Sequence, residues 1–300
     1  MNADSGKKLP VVGFIGLGNM GSPMAGHLVD AGYPLVVHDA RRGVAEPLLA
    51  RGATWAGSAA AVAREAHTVI TIVPSSKEVE ALVAEMLPAL GPGHLLVEMT
   101  TSDPSVTRRL AKEVAARGAA MIDAPVSGGV AGARAKTLAI MVGGEAADVA
   151  RARPMLAQMG KNVFHVGGVG TGHAMKLVNN ATSAACLTAT TEAVVVAMRA
   201  GIDPARAIEI ITASSGRSDA TERKWPKHIL TGTWDSGFAV ALMHKDLTSF
   251  LRLAAECGFE PQVTAAAAAW FRRAMQGPLA GGDHVEIAKL IGYTPKGEHR

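Results

Sequence analysis

The sequence predicts an α/β fold, a doubly wound parallel sheet followed by an all-helical domain, and three observations carry that expectation. From Val11 to about Gly144, short β-branched runs alternate with alanine-rich stretches, the pattern of right-handed βαβ units. After about Gly172 strand-like runs largely stop and the period becomes helical. The most informative of the three is Val11-Val-Gly-Phe-Ile-Gly-Leu-Gly-Asn-Met-Gly21, an apolar strand that runs straight into a glycine-rich turn and then a helix-like segment.

The expected strands are Val11–Ile15, Leu35–His38, Val69–Val73, Leu95–Met99, Ala120–Asp123 and Ala139–Val142. Helices are expected near Met20–Ala31, Val44–Arg51, Ala59–Ala66, Lys77–Leu87 and Ser105–Arg117. Gly172–Ala200 reads as one long helix closed by Gly201, and Asp203-Pro204 supplies an N-cap and a first-turn proline for Pro204–Ala213. Further helices are expected at His244–Cys257, stopped by Gly258, and at Pro261–Met275. Glycine-rich Val163–Gly172 is the natural junction, dividing the chain into domains 1–170 and 171–300.

With 300 residues, 48% of them apolar, the chain can bury a large core, and its length suits two domains. Cys186 and Cys257 have no paired spacing, so neither a disulfide framework nor a metal site is expected, and a reducing cytoplasm fits best. Met1–Pro10 lacks the pattern of a secretory signal or transit peptide. No uninterrupted apolar run reaches the length of a membrane span, so no membrane association is expected. A net charge of +4 comes from scattered basic residues, which gives nucleic-acid binding little support and suits an anionic cofactor and substrate equally well.

Within the first glycine-rich turn, Gly16 permits a tight turn, Gly18 lets a pyrophosphate approach the backbone, and Gly21 allows close packing of helix on strand. About twenty residues on, Leu35-Val-Val-His-Asp39 ends on an acid where an adenosine ribose needs an acceptor. Strand, helix, strand and acid together make a dinucleotide-binding fingerprint, and the first domain is expected to be a Rossmann domain. Asp123-Ala-Pro-Val-Ser-Gly-Gly129 can turn several N–H groups toward one point and nest a carboxylate, with a plain turn as the alternative. Lys176 and Asn180, four apart, share a face of the long helix with Asn179 beside them. Their flanks are apolar, which suggests a buried helix with one polar notch. Burial and a neighbouring positive charge both lower a lysine's pKa, which suits proton exchange near neutrality. Lys245-Asp246-Leu247, Val73-Pro74 and Thr100-Thr101 are silent in isolation.

Taken together these segments resemble the β-hydroxyacid dehydrogenase family, which includes 3-hydroxyisobutyrate dehydrogenase and tartronate semialdehyde reductase. The resemblance covers nearly the whole chain, in the family's order. It implies a Rossmann domain joined to a helical domain by the long helix. Gly13–Gly21 is similar to the family's cofactor loop, which implies a cofactor role for Gly16, Leu17, Gly18, Asn19, Met20 and Gly21. Val73, Pro74 and Thr101 would line the nicotinamide side. Lys176 would be the general acid/base, Ser127, Gly128 and Gly129 would hold a substrate carboxylate, and Asn180, with Asn179, would orient the substrate. Lys245, with Asp246, would stand near cofactor and substrate. In oxidation Lys176 would accept the hydroxyl proton while hydride passes to the nicotinamide.

Asp39 favours NAD, because it would hydrogen-bond the ribose hydroxyls and repel the extra phosphate of NADP. Arg41 and Arg42 could still attract that phosphate, which leaves NADP open. The expected substrate is a small carboxylate-bearing hydroxy acid or semialdehyde, of the 3-hydroxyisobutyrate, glycerate and tartronate semialdehyde, or 4-hydroxybutyrate type. The side chains that choose among them are expected to include some between Ser214 and His244. Relatives imply a homodimer or homotetramer. Two other readings are an imine reductase-like enzyme and a non-catalytic nucleotide-binding module of the same fold.

Overall fold

Successive residues of the central strands in the first half bury on opposite faces of one sheet, which is why those strands read as unbroken apolar runs instead of alternating ones. A computed structural model describes residues 9–294. The chain forms two units, Met1–Lys176 and Leu177–Arg300. The expectation for Met1–Pro10 falls almost wholly outside the described residues.

In the first unit, β1 (Val12–Ile15), β2 (Leu35–His38), β3 (Thr54–Trp55), β4 (Thr68–Thr71), β5 (Leu95–Glu98) and β6 (Ala120–Asp123) pair in parallel in the order β3-β2-β1-β4-β5-β6. Succession reverses between β1 and β4, the place where doubly wound sheets take their ligands. One face buries Phe14, Val37, Ile70, Val97 and Ile122 against α1 (Gly21–Asp30), with a contribution from α2 (Glu46–Leu49). The other buries Ile15, Val36, Val69, Leu96 and Met121 against α3 (Ala59–Glu65), α4 (Ser76–Met86) and α5 (Pro104–Ala115). Ser58, Ser75 and Asp103 cap these last three helices through their side chains.

Beyond β6 the sheet departs from the expected parallel pattern. β7 (Val126–Ser127), α6 (Gly129–Arg134) and β8 (Leu138–Gly143) follow, then α7 (Ala146–Leu156) and β9 (Gly160–Gly167). β8 runs antiparallel to β6 and β7, and β9 runs parallel to β8. β9 was expected as part of a glycine-rich junction. Most of its residues are exposed or half-buried, so no alternation marks it as a strand. The expected helix Val44–Arg51 is a 3₁₀ turn at Arg42–Ala45 followed by the single turn of α2.

α8 (Thr171–Arg199) starts in the first unit and continues into the second. By length and composition it could cross a bilayer; here its apolar residues Leu177, Ala181, Ala184, Leu187 and Val194 are buried within the protein. Gly201, at φ +85°, ends it in the left-handed conformation that favours glycine. Asp203 then caps α9 (Pro204–Thr212) by accepting from the N–H groups of Ala205 and Arg206. A wide π-type helix, Ala220–Ile229, follows in a segment that the expected helices leave out. α10 (Val240–Glu256) starts four residues before its expected position, and α11 (Gln262–Met275) and α12 (Ile287–Ile291) complete the unit. Its core gathers Leu187, Ile208, Trp225, Leu247 and Phe271, with Trp225 packed edge-on to Tyr293 at 5.0 Å.

Candidate active site

Gly16 sits at φ +94°, and a Cβ there would stand 2.0 Å from the Ile72 carbonyl oxygen, so only glycine lets the β1–α1 turn pass against the chain after β4. At Gly21 an added Cβ would stand 1.8 Å from the Gly16 oxygen, which holds helix against turn. At Gly18 it would meet nothing within 4 Å, so this glycine faces open space that a pyrophosphate can fill. Met20 occupies the cap position of α1 without a side-chain cap, and the Ser22 N–H donates to the Gly18 oxygen at 3.0 Å. Leu17, Gly18, Asn19 and Arg41 line a cavity of about 660 Å³ together with Arg134. The residues present therefore fit a dinucleotide.

Asp39 follows β2 and closes the turn. Its Oδ2 accepts from the Leu17 N–H at 2.8 Å, and its Oδ1 accepts from the Arg41 N–H at 2.8 Å. The Arg41 guanidinium lies 3.9 Å from Oδ1. A carboxylate has about four lone-pair sites, so both oxygens keep capacity for ribose hydroxyls. Val73 and Pro74 follow β4 and Thr101 follows β5, at the same carboxyl edge. The Val73 N–H donates to Thr100 Oγ1 at 3.1 Å, tying the two loops together. Ser127 ends β7; Gly128 and Gly129 follow at φ +133° and +61°, exposed, as an anion nest requires.

Asp123, at the end of β6, is fully buried and faces the start of α8. Its Oδ1 accepts from the Gly170 N–H at 2.6 Å and its Oδ2 from the His173 N–H at 2.7 Å, so it caps that helix from a strand. His173 is also fully buried, with Nε2 3.0 Å from Glu98 Oε2 and Nδ1 2.8 Å from Thr107 Oγ1. The Glu98 contact has the distance of an ion pair without hydrogen-bond alignment. Burial pulls His173 toward the neutral form, but the charges of Glu98 and then Asp123 outweigh it and raise its pKa. Burial likewise pushes the Asp123 carboxyl up, against His173 and the two backbone donors. Lys176 lies three residues beyond His173, one turn along α8, and is only 7% exposed.

In the second unit, Asn180 Nδ2 donates to Asp246 Oδ2 at 2.7 Å, and Asn179 Nδ2 donates to Asn180 Oδ1 at 3.2 Å. Lys245 Nζ lies 3.4 Å from Asp246 Oδ1. Asn180 and Asp246 are buried, while Asn179 and Lys245 are half-buried. The structure thus brings together the four polar residues that the sequence placed on two separate helices. Asp246 supplies the link, accepting from Asn180 and pairing with Lys245.

Sequence reasoning missed Glu98, the capping role of Asp123, His173, Ser183 and Lys224. A signal existed for the first two, since each is an acid ending an apolar strand as Asp39 does. For Ser183 and Lys224 there was none: Lys224 Nζ donates to Ser183 Oγ at 2.6 Å across forty-one residues.

A parallel sheet in this order, a glycine turn against an acid at the end of β2, and a buried lysine on the following long helix define a dinucleotide-dependent oxidoreductase. The comparisons agree. Residues 11–168 match the family described as the NAD binding domain of 6-phosphogluconate dehydrogenase, and residues 170–291 match that described as the NAD-binding of NADP-dependent 3-hydroxyisobutyrate dehydrogenase. Mitochondrial 3-hydroxyisobutyrate dehydrogenase of Rattus norvegicus is 41% identical over 245 residues, 79% of this chain and 73% of the relative. The 2-(hydroxymethyl)glutarate dehydrogenase of Eubacterium barkeri is 38% identical over 274 residues, 90% of each chain. A solved structure of Mycobacterium tuberculosis 3-hydroxyisobutyrate dehydrogenase with L-serine superimposes with a TM-score of 0.90 at 31% identity, covering 95% of this chain and 100% of that one. The chain belongs to the β-hydroxyacid dehydrogenase family and is an NAD(P)-dependent hydroxyacid dehydrogenase.

Proposed function

We propose that Lys176 is the general acid/base in the oxidation of a small carboxylate-bearing hydroxy acid, or the reduction of the matching semialdehyde, with NAD as the preferred cofactor. The observation that carries this reading is Lys176 itself, nearly buried one helical turn before Asn180, whose amide is held by Asp246. When bound, the nicotinamide supplies the hydride acceptor or donor. In oxidation Lys176 Nζ takes the proton of the substrate hydroxyl, and in reduction it returns that proton to the oxygen. Ser127 and the N–H groups of Gly128 and Gly129 bind the carboxylate; Asn180, braced by Asp246 and Asn179, orients the substrate. Lys245 adds positive charge at the Asp246 carboxylate. Val73, Pro74 and Thr101 border the nicotinamide, and Gly16–Gly21 with Asp39 and Arg41 hold the adenosine and pyrophosphate half.

The preference for NAD is supported by Asp39, an acid directly after β2 whose two oxygens are fixed by the Leu17 and Arg41 N–H groups and keep lone pairs for ribose hydroxyls. Relatives named for 3-hydroxyisobutyrate and 2-(hydroxymethyl)glutarate support an acid whose hydroxymethyl group lies beside a carboxylate. Residues 1–170 serve as the dinucleotide domain and 171–300 as the substrate and subunit-contact domain. Exposed Val178 and Val196 on α8 support a homodimer or homotetramer, and two unpaired cysteines support a reducing cytoplasm.

The test is nicotinamide absorbance for the purified protein with NAD or NADP and a panel of short hydroxy acids, beside Lys176→Ala. The variant is expected to keep NAD affinity and lose about 10²- to 10⁴-fold in turnover. Near-normal turnover by Lys176→Ala removes the lysine from the chemistry.

A further inference from the structure

Lys224 is a charged residue buried with too few partners. It lies in the helix Ala220–Ile229 and is 8% exposed. An ammonium carries three N–H donors. One reaches Ser183 Oγ at 2.6 Å, while the nearest carboxylate oxygen, Asp219 Oδ2, is 3.7 Å away, beyond hydrogen-bond length. Among the described residues the remaining donors of Lys224 meet no acceptor at hydrogen-bond distance. Burying a cation in this state is costly, and a methionine or leucine would fill the same space without that cost. Burial does pull Lys224 below the ordinary lysine range, against the opposing pull of Asp219; an anion beside Nζ would restore the charged form.

Its place on the fold says which anion. Ser183 is half-buried and three residues beyond Asn180 on α8, so the two side chains neighbour each other on one helix face at roughly 5–6 Å between Cβ atoms. Asn180, Asp246 and Lys245 form one polar group on that face, and Ser183, Lys224 and Asp219 form the next, all within the second unit. For a ligand whose reacting end lies at Asn180, the Ser183–Lys224 pair is the next polar group, one helical turn farther along α8.

We infer that Lys224 is a specificity-determining residue whose ammonium receives a second carboxylate, carried on the end of the substrate away from the reacting hydroxyl, so that the enzyme selects dicarboxylic over monocarboxylic hydroxy acids. This rests on the function proposed above and adds the charge of the substrate's far end to it. Asp219 pairs with Lys224 by charge at 3.7 Å without a hydrogen bond, which leaves the ammonium donors beyond Ser183 for a ligand oxygen.

Three acids with the same hydroxymethyl and carboxylate groups test the inference: 3-hydroxyisobutyrate, with a methyl side group; 2-(hydroxymethyl)pentanoate, with an uncharged propyl group; and 2-(hydroxymethyl)glutarate, in which that chain ends in a carboxylate. The full-length protein is expected to prefer the glutarate over the pentanoate in kcat/KM, and Lys224→Met to lower that ratio about ten- to a hundredfold, as for loss of a hydrogen bond to a charged group. A ratio taken on one preparation cancels the active fraction, so partial misfolding does not imitate the effect. Lys224→Gln serves if the methionine variant is insoluble. Thermal stability of Lys224→Met is expected to equal or exceed that of the parent; a lower melting temperature with an unmoved ratio makes Lys224 a structural residue and overturns the inference. Equal use of glutarate and pentanoate by the parent also overturns it. If the parent turns over none of the three, the functional reading fails instead. Calorimetric titration of the NAD-loaded protein with glutarate then decides the inference: binding that Lys224→Met abolishes supports it, and equal or absent binding overturns it.

Discussion

His173 and Glu98 face each other inside the first unit, with Nε2 3.0 Å from Oε2 and both side chains almost wholly out of water. Asp123 Oδ2 stands 3.7 Å from the other ring nitrogen. One imidazole thereby joins the ends of β5 and β6 to the first turn of the helix that carries Lys176. Glu98 also accepts from the Thr100 N–H at 2.7 Å, so the loop leading to Thr101 is held by the same carboxylate. Buried ionic groups stabilise little relative to apolar packing, but breaking such a cluster leaves a charge stranded.

Removing Glu98 should therefore be expensive, and more so in acid than in base. His173 has a raised folded pKa, so its stabilising pairing is fully present below the unfolded value of about 6.5 and is lost as pH rises through the raised value. Glu98→Ala is expected to cost about 3–5 kcal/mol at pH 6 and less at alkaline pH. Denaturant unfolding at both pH values measures this, and a cost independent of pH contradicts a protonated His173.

Cofactor choice should shift at Asp39. Asp39→Ala removes the acceptor of the Leu17 N–H and the negative charge near a 2′-phosphate. Turnover with NAD is expected to fall about tenfold or more, as for loss of a charge-assisted hydrogen bond, while the NADP-to-NAD ratio of kcat/KM rises. Steady-state kinetics with both cofactors will show it; an unchanged ratio moves the determinant elsewhere, with Arg41 and Arg134 of the same cavity the next to vary.

Asp246 should matter through Asn180. Asp246→Ala deprives Asn180 Nδ2 of its acceptor and Lys245 of its carboxylate, so the amide loses its fixed orientation. We expect kcat to fall about ten- to a hundredfold with NAD affinity preserved, and Asp246→Asn to recover part of the loss by keeping an acceptor oxygen. Equal defects in the two variants would falsify a positioning role.

Acid should loosen the second unit at Asp283. Burial raises its pKa, but donors from His284 and Ser236 and the Val285 N–H outweigh that and bring it down to about 2. A depressed acid contributes stability above its unfolded pKa of about 3.9 and loses it as pH falls toward the folded value. Asp283→Asn is thus expected to cost about 1–2 kcal/mol at neutral pH, with the difference vanishing near pH 2. Thermal unfolding across that range follows it, and a constant difference would rule out the linkage.

Much of the first unit was legible because its determinants are local. Gly16 takes a conformation only glycine favours, Asp39 directly follows β2, and Asp203-Pro204 opens α9, each readable from a few neighbouring residues. Unbroken apolar runs announced strands covered on both faces. β9 escaped because an exposed edge strand has no buried face to impose a period. The helix Ala220–Ile229 escaped because Pro226 and its charged residues read as irregular chain.

By itself, then, the sequence determined the parallel strands β1, β2, β4, β5 and β6 with the helices α1, α3, α4 and α5 among them, the dinucleotide turn and the face shared by Lys176 and Asn180, all set by periods of a few residues. Tertiary structure alone decided that Asp123 caps α8 from forty-seven residues before Gly170, that Asp246 holds Asn180 across sixty-six, and that Lys224 docks on Ser183. No local period encodes such pairings. Each arises where two buried elements meet and each polar group needs a partner, because solvent is no longer there to supply one.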